Sequence, residues 1–366
     1  MKVINVCGAR PNFMKIAPLM EAYRDEPAIE PLLVHTGQHY DEKMSRLFFD
    51  ELQIPRPDIN LEVGSGSHAQ QTARIMDRFE PVVAEHKPDA IVVVGDVNST
   101  IACALVAKKM GVGVFHVEAG LRSFDRTMPE EINRVLTDAI SDLLFVSEPS
   151  GMENLKREGI ALEQMHFVGN VMIDTLEKHR HKAEASKILE CVRVEPGGYC
   201  VVTMHRPANV DDPAVLGRLV SVFEEIQREL AIIFPIHPRT RKNMEASGLL
   251  RQFAGLERLQ LIEPLGYLDF LKLMANAAVV LTDSGGIQEE TTILGVPCLT
   301  LRENTERPVT LTHGTNQLVG MDPERILTAY RKIRQEGAKS GRRPEGWDGK
   351  AAQRIARIIA GWTPAW

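Results

Sequence analysis

The chain has 366 residues, 44% hydrophobic and 25% charged, with a formal net charge of −6. Such a composition belongs to a globular protein with ample core, and the length suggests two domains. The acidic balance excludes a general nucleic-acid binder, whose phosphate contacts need a basic surface.

The opening segment MKVINVCGARPNF passes straight into a strand-like run without a signal peptide. No apolar run approaches the roughly 20 residues of a membrane helix, so a soluble, cytoplasmic protein is expected. The scattered cysteines Cys7, Cys103, Cys191, Cys200 and Cys298 lack zinc spacing and are read as reduced, buried thiols, with no metal site.

The first predicted strand, KVINVCG, ends in a glycine turn, with Arg10 and Lys15 flanking the next helix start. The turn lacks GxGxxG and so does not support dinucleotide binding. The two cations suit a phosphate or carboxylate. PLLVHTGQ follows, and then AIVVVGD, which ends on Asp96. That residue is read as a catalytic carboxylate or as a turn or cap residue, with Asn98, Ser99 and Thr100 capping the next helix. VGVFHVEAG sets Glu118 just past an apolar strand, where a carboxylate is partly buried and its pKa tuned. Pro129 fits a first helical position, with Glu130 and Glu131 in the favourable first turn. One of that pair is read as a mere dipole partner, and Arg134 can ion-pair with either. LLFVSE and HFVGN complete this series.

A second series begins with YCVVTMH, which places His205 and Arg206 at a strand end. His205 is read as catalytic or as a satisfied core histidine. AIIFPIHP sets His237 in a similar but less specific position, and LQLIEPLG follows. AVVLTDSGG turns into a helix at Ser284, Gly285 and Gly286, where backbone N–H groups and the helix N-terminus favour an anion. Glu290, about one turn further on, is placed for a diol such as ribose, and Arg307 after CLTLRE adds positive charge.

Continuous apolar strands alternating with helices indicate parallel βαβ units covered on both faces. The expected fold is α/β, with two doubly wound Rossmann-like domains facing across a cleft. The boundary is placed near residue 170: residues 1–170 with a C-terminal helix at 350–366, then residues 171–349. Ligands in such sheets sit beyond the carboxyl ends of the strands. The strand ends are unusually polar, among them Gln38, His39, His116, Glu263 and Asp283.

The motifs GARPNFMK, TGQHYD, GDVNST, HVEAGLRS, PEEINR, MHRPAN and DSGGIQEE…LRENTERP, in order from residue 3 to about residue 320, resemble the non-hydrolysing UDP-N-acetylglucosamine 2-epimerases. The resemblance implies the GT-B fold, a homodimer, and inversion of C2 in UDP-N-acetylglucosamine to give UDP-N-acetylmannosamine. The implied route eliminates UDP to a 2-acetamidoglucal and adds it back, with no cofactor and no metal. It places Asp96, Glu118, Glu130 and His205 at the acid/base and charge-stabilising positions. Arg10 and Lys15 would face the diphosphate or sugar, with Arg206 and His237 also lining the substrate site. Ser284, Gly285, Gly286, Glu290 and Arg307 would hold phosphate and ribose, with Phe270 near uracil, the glycine-led helix start carrying the phosphate and Asp96, Glu118 and Glu130, joined by His205, the proton chemistry. Ala208 stands where family members often carry an acid, and Leu265 where some carry a polar residue near uracil. The alternatives are a hydrolysing 2-epimerase releasing UDP and N-acetylmannosamine, and a 2-epimerase of a UDP-diacetamido sugar or uronate. A GT-B glycosyltransferase usually lacks the HVEAGLR acids, and a nucleotide-sugar sensor does not need acids at every strand end.

Overall fold

A computed structural model describes residues 1–37, 42–337 and 339–363. Gln38 and His39 lie outside the described residues, as does the side chain of Arg10. Residues 1–178 and 345–366 form one compact unit, and residues 179–344 form a second. The division falls inside the helix Val171–Ala183, which starts at the boundary expected near residue 170. That helix begins in the first unit because Thr175 Oγ1 donates to the Met14 carbonyl at 2.5 Å, and Asp174 caps the final helix.

The first unit is a seven-stranded parallel sheet of β1 (Lys2–Cys7), β2 (Glu30–His35), β3 (Ile59–Asn60), β4 (Ala90–Val94), β5 (Gly113–Ala119), β6 (Leu143–Val146) and β7 (Met165–Phe167). Their order across the sheet is β3-β2-β1-β4-β5-β6-β7. Every residue of β4 and β5 is buried, which explains why β4 reads as an unbroken apolar run and β5 as an apolar one interrupted only by His116 and Glu118. Ile4, Val34, Phe79, Ile91, Val93 and Val114 build the core on one side of the sheet. The helix Ala351–Ala360 belongs to this unit, its first N–H groups held by the Asp174 carboxylate and Trp347 donating from Nε1 to the Ser147 carbonyl at 2.8 Å.

The second unit is a six-stranded parallel sheet of β8 (Tyr199–Thr203), β9 (Ala231–Pro235), β10 (Leu259–Ile262), β11 (Val279–Thr282), β12 (Cys298–Thr300) and β13 (Asn316–Leu318). The order is β10-β9-β8-β11-β12-β13, and its core gathers Val202, Phe223, Phe234, Leu281 and Leu299. In each unit the strand order reverses once, between β1 and β4 and between β8 and β11. Crevices beyond the strand ends form at such points. Gly95 and Asp96 follow β4, while His205 and Asp283 follow β8 and β11.

Two short strands, β3 and β13, carry no apolar run and have no counterpart among the predicted strands. One expectation is corrected here. Asn98, Ser99 and Thr100 do not cap the helix after β4 but form its first turn, behind an extended Val97. Their side chains turn to neighbouring segments instead: Thr100 to the Val94 carbonyl, Ser99 to Thr36, and Asn98 to Gln71. Cys7, Cys103, Cys200 and Cys298 are buried, whereas Cys191 is exposed. No helix among the described residues is long and apolar enough to cross a membrane.

Candidate active site

In the first unit a bulge positions the central carboxylate. Val117 pairs with Phe145 and Ala119 with Val146, leaving Glu118 as an extra residue in β5. Glu118 takes a φ of +73°, in the left-handed region that side chains seldom adopt. Bulges re-aim a side chain, and strain of this kind persists only where surrounding contacts hold it. Here the contact is Lys15, from the helix Arg10–Ala22, whose Nζ lies 2.8 Å from both Glu118 oxygens with both side chains buried. Gly95, at φ +66°, makes the space: a Cβ there would stand 2.8 Å from Lys15 Nζ.

Asp96 lies on the same strand-end edge, half-buried, and accepts from Arg134 Nη2. The helix Pro129–Ile140 starts at the predicted proline and decides between its two acids. Glu131 turns inward and accepts from Ser123 N at 2.9 Å, Ser123 Oγ at 2.8 Å, Phe124 N at 2.9 Å and Arg134 Nη1 at 2.8 Å. Glu130 is half-buried and makes no hydrogen bond or ion pair with the described residues. Arg134 therefore joins Glu131 to Asp96.

In the second unit the loop after β8 is folded around Asp283, which has no exposed surface. Its carboxylate accepts from the backbone N–H of His205 at 3.0 Å and of Arg206 at 2.9 Å, and His205 Nδ1 lies 3.0 Å away. Burial works to raise this carboxyl, but His205 and the two backbone donors outweigh it and hold it below the usual carboxylate range. His205 is thereby oriented with its ring still 46% exposed. His237 Nδ1 accepts from Arg239 N at 3.2 Å, and its ring centroid lies 6.1 Å from that of His205. Both histidines line a cavity of about 140 Å³ with Met204, Pro264, Leu265 and Phe270.

Ser284 precedes the helix Gly285–Leu294 and makes no side-chain cap. Gly285 packs closely on an ion pair: a Cβ there would stand 2.5 Å from Arg307 Nη1 and 2.7 Å from Glu306 Oε1. Arg307 Nε pairs with buried Glu289 at 2.7 Å, and its Nη1 with Glu306, which also accepts from Arg302 at 2.7 Å. Arg206 Nη2 lies 3.7 Å from the same Glu306. Glu290 is buried and accepts from the Tyr267 hydroxyl at 3.0 Å. Its burial, opposed by the Tyr267 bond and reinforced by Glu289, pushes the carboxyl up to about 8.

Within the first unit, Lys15 and Glu118 are paired at a strand end, Asp96 is tied through Arg134 to the helix whose first turn carries Glu130, and the Arg10 side chain is outside the described residues. Within the second, His205, His237 and Phe270 line one crevice, Arg206 Nε donates to the Asp283 carbonyl at 3.0 Å, and Ser284, Gly285, Gly286 and Glu290 lie along the helix start with Arg307 packed against Gly285. Sequence reasoning did not single out Tyr267, Glu306 or the inward role of Glu131. Asp283 stood among the polar strand ends, without a role.

A model of the UDP-N-acetylglucosamine 2-epimerase family matches residues 21–360. The chain is 43% identical to the UDP-N-acetylglucosamine 2-epimerase of Methanococcus maripaludis, over 98% of each chain. It is 39% identical to the UDP-2,3-diacetamido-2,3-dideoxy-D-glucuronate 2-epimerase of Pseudomonas aeruginosa, over 98% of this chain and 99% of that one. Among solved structures it is similar to the Methanocaldococcus jannaschii UDP-GlcNAc 2-epimerase in complex with UDP-GlcNAc and UDP. The TM-score is 0.91 at 43% identity, covering 98% of this chain and 99% of that chain.

Proposed function

The chain belongs to the UDP-N-acetylglucosamine 2-epimerase family, and from that premise we propose that it interconverts UDP-N-acetylglucosamine and UDP-N-acetylmannosamine. The observation that carries the reading is the bulge-held Glu118 with Lys15 at its carboxylate, a buried proton-handling pair at a strand end.

The C2 proton of the sugar has no adjacent carbonyl to acidify it. Breaking the C1–O bond sends its electron pair to UDP and builds positive charge at C1, which makes the C2 proton removable. A carboxylate takes that proton and 2-acetamidoglucal forms. Proton return to the opposite face of C2 and attack of UDP at C1 complete the inversion. Asp96, Glu118, Glu130 and His205 serve as the acid/base and charge-stabilising groups. The leaving diphosphate is held at Ser284, Gly285 and Gly286 by helix N–H groups and Arg307, with Arg10, Lys15 and Arg206 adding charge. Glu290 takes the ribose, and the cavity at His237 and Phe270 takes uracil.

Incubation with UDP-N-acetylglucosamine in heavy water, followed by proton NMR, tests this. Deuterium at C2 of an intact UDP-N-acetylmannosamine product is expected, and Glu118→Gln should lose exchange while still binding UDP. Absence of both exchange and product sinks the assignment; stoichiometric free UDP points to the hydrolysing reaction. The Pseudomonas relative gives the second substrate to test, a UDP-diacetamido uronate. The reading includes a cytoplasmic homodimer, supported by Ile132 and Leu136, which stand exposed one turn apart on the helix Pro129–Ile140. A monomer mass by light scattering would remove that part.

A further inference from the structure

The first unit holds a buried charge cluster with no part in the chemistry above. His116, within β5, has no exposed surface. Its Nδ1 lies 2.6 Å from Asp138 Oδ1, and its Nε2 lies 2.8 Å from the Gly95 carbonyl oxygen. A carbonyl oxygen can only accept. Asp138 is an ionised acceptor: its other oxygen takes the Gly120 N–H at 3.0 Å and Arg122 Nη2 at 2.7 Å, and although burial works to raise this carboxyl, its cationic neighbours hold it below the usual range. A neutral imidazole has a single N–H and would face one of these acceptors lone pair to lone pair. Both ring nitrogens therefore carry hydrogen, and the ring is an imidazolium. Its charge is matched by Asp138, as a fully buried charge requires. Arg122 is balanced in turn by Glu158, at 2.6 Å.

The backbone groups gripped by this cluster flank the two carboxylates. Gly95 immediately precedes Asp96, and its left-handed turn leaves the space that Lys15 fills. Gly120 comes just after the bulge that turns Glu118, itself at φ +81°. Fixing the Gly95 carbonyl and the Gly120 amide fixes the directions in which Asp96 and Glu118 leave the sheet.

We propose that His116, as an imidazolium pinned by Asp138, is a positioning residue that sets the placement of Asp96 and Glu118. The proposal rests on reading those two acids as proton-handling groups. It adds that their geometry depends on a buried charge within β5, the strand that carries Glu118 and pairs with β4.

Two measurements on the full chain test it. In protein labelled with ¹⁵N in histidine, one ring should show both nitrogens protonated, a signal absent from His116→Gln. Asp138→Asn should turn that ring into one with an unprotonated nitrogen. Both variants should lower kcat about 100-fold, the loss that a misplacement of about 1 Å brings, while UDP affinity by calorimetry stays at the wild-type value. A His116 with one unprotonated nitrogen in the wild type overturns the proposal, even if neither variant folds. A folded variant with wild-type kcat, or with kcat and UDP affinity falling together, overturns the positioning role. Failure of the functional reading looks different: wild-type protein would show the imidazolium signal and no C2 exchange, and the positioning role would fall with it.

Discussion

Replacing Glu290 by glutamine should stabilise the protein at alkaline pH without weakening UDP binding. The Glu290 carboxyl is buried, and that burial raises it from 4.5 to about 8. The folded chain therefore holds this proton more tightly than the unfolded chain does. The resulting contribution to stability is fully present below the ordinary value of 4.5 and is lost as pH rises to about 8. At roughly 1.4 kcal/mol for each factor of ten, the interval from 4.5 to about 8 amounts to about 5 kcal/mol. Glutamine has the shape of the neutral acid and cannot ionise. Glu290→Gln and wild type should then be close in stability under acid conditions and diverge with a slope of one proton, the variant becoming the more stable. Denaturant unfolding at stepped pH measures the divergence. The neutral acid and the amide each present a carbonyl acceptor and a donor group, so on the proposed reading the variant should keep its bonds to the ribose diol, whereas Glu290→Ala should lose them. A pH-independent difference between variant and wild type, or a glutamine variant that loses UDP as the alanine variant does, would refute this account and make Glu290 an ionised ligand.

Gly95→Ala should lower kcat about 100-fold, because the new methyl would stand 2.8 Å from Lys15 Nζ and push it from Glu118; wild-type turnover in a folded variant counts against the Lys15–Glu118 pair as a working unit. Asp283→Asn should cost activity through His205 and stability through the two backbone donors left facing an amide. Because the folded Asp283 carboxyl lies below its ordinary range, the stability gap should be full above that range and shrink as pH falls through the folded value, which thermal melts at stepped pH can follow. Trp347→Ala should destabilise the first unit by roughly 3–5 kcal/mol, since the indole is 1% exposed and bonded to the Ser147 carbonyl. Denaturant midpoints would report it, and a loss well under 1 kcal/mol would mean that this residue does not fasten the C-terminal segment.

The strands that hold the site were legible because both faces of each sheet are covered, so β4 reads as an unbroken apolar run and β5 as a mostly apolar one. Polar residues at their ends stand out for the same reason. What could not be read depends on tertiary choices. Glu130 and Glu131 are neighbours in one helical turn, and only the loop at Ser123 and Phe124 selects Glu131 as the inward acid. The bulge at Glu118 is a matter of pairing with β6, which nothing in HVEAGLRS announces. The neutral tendency of Glu290 comes from burial and from its neighbour Glu289, and it persists against the hydrogen bond from Tyr267, 23 positions earlier in the chain. Helix starts misled at Asn98, whose residue type fits a cap while its amide finds a better partner in Gln71.

The first unit is discontinuous: its sheet is complete by β7, yet it also owns residues 345–366, on the far side of the entire second unit. Translation follows chain order, so a ribosome releases all of residues 179–344 before it delivers Trp347 and the helix Ala351–Ala360. The second unit has every strand of its sheet in hand at that moment, while the seven-stranded sheet still waits for the segment that Asp174 caps. Domains usually mature in the order of synthesis. In this chain the order is expected to invert, with the first unit completed only after the second has all of its strands.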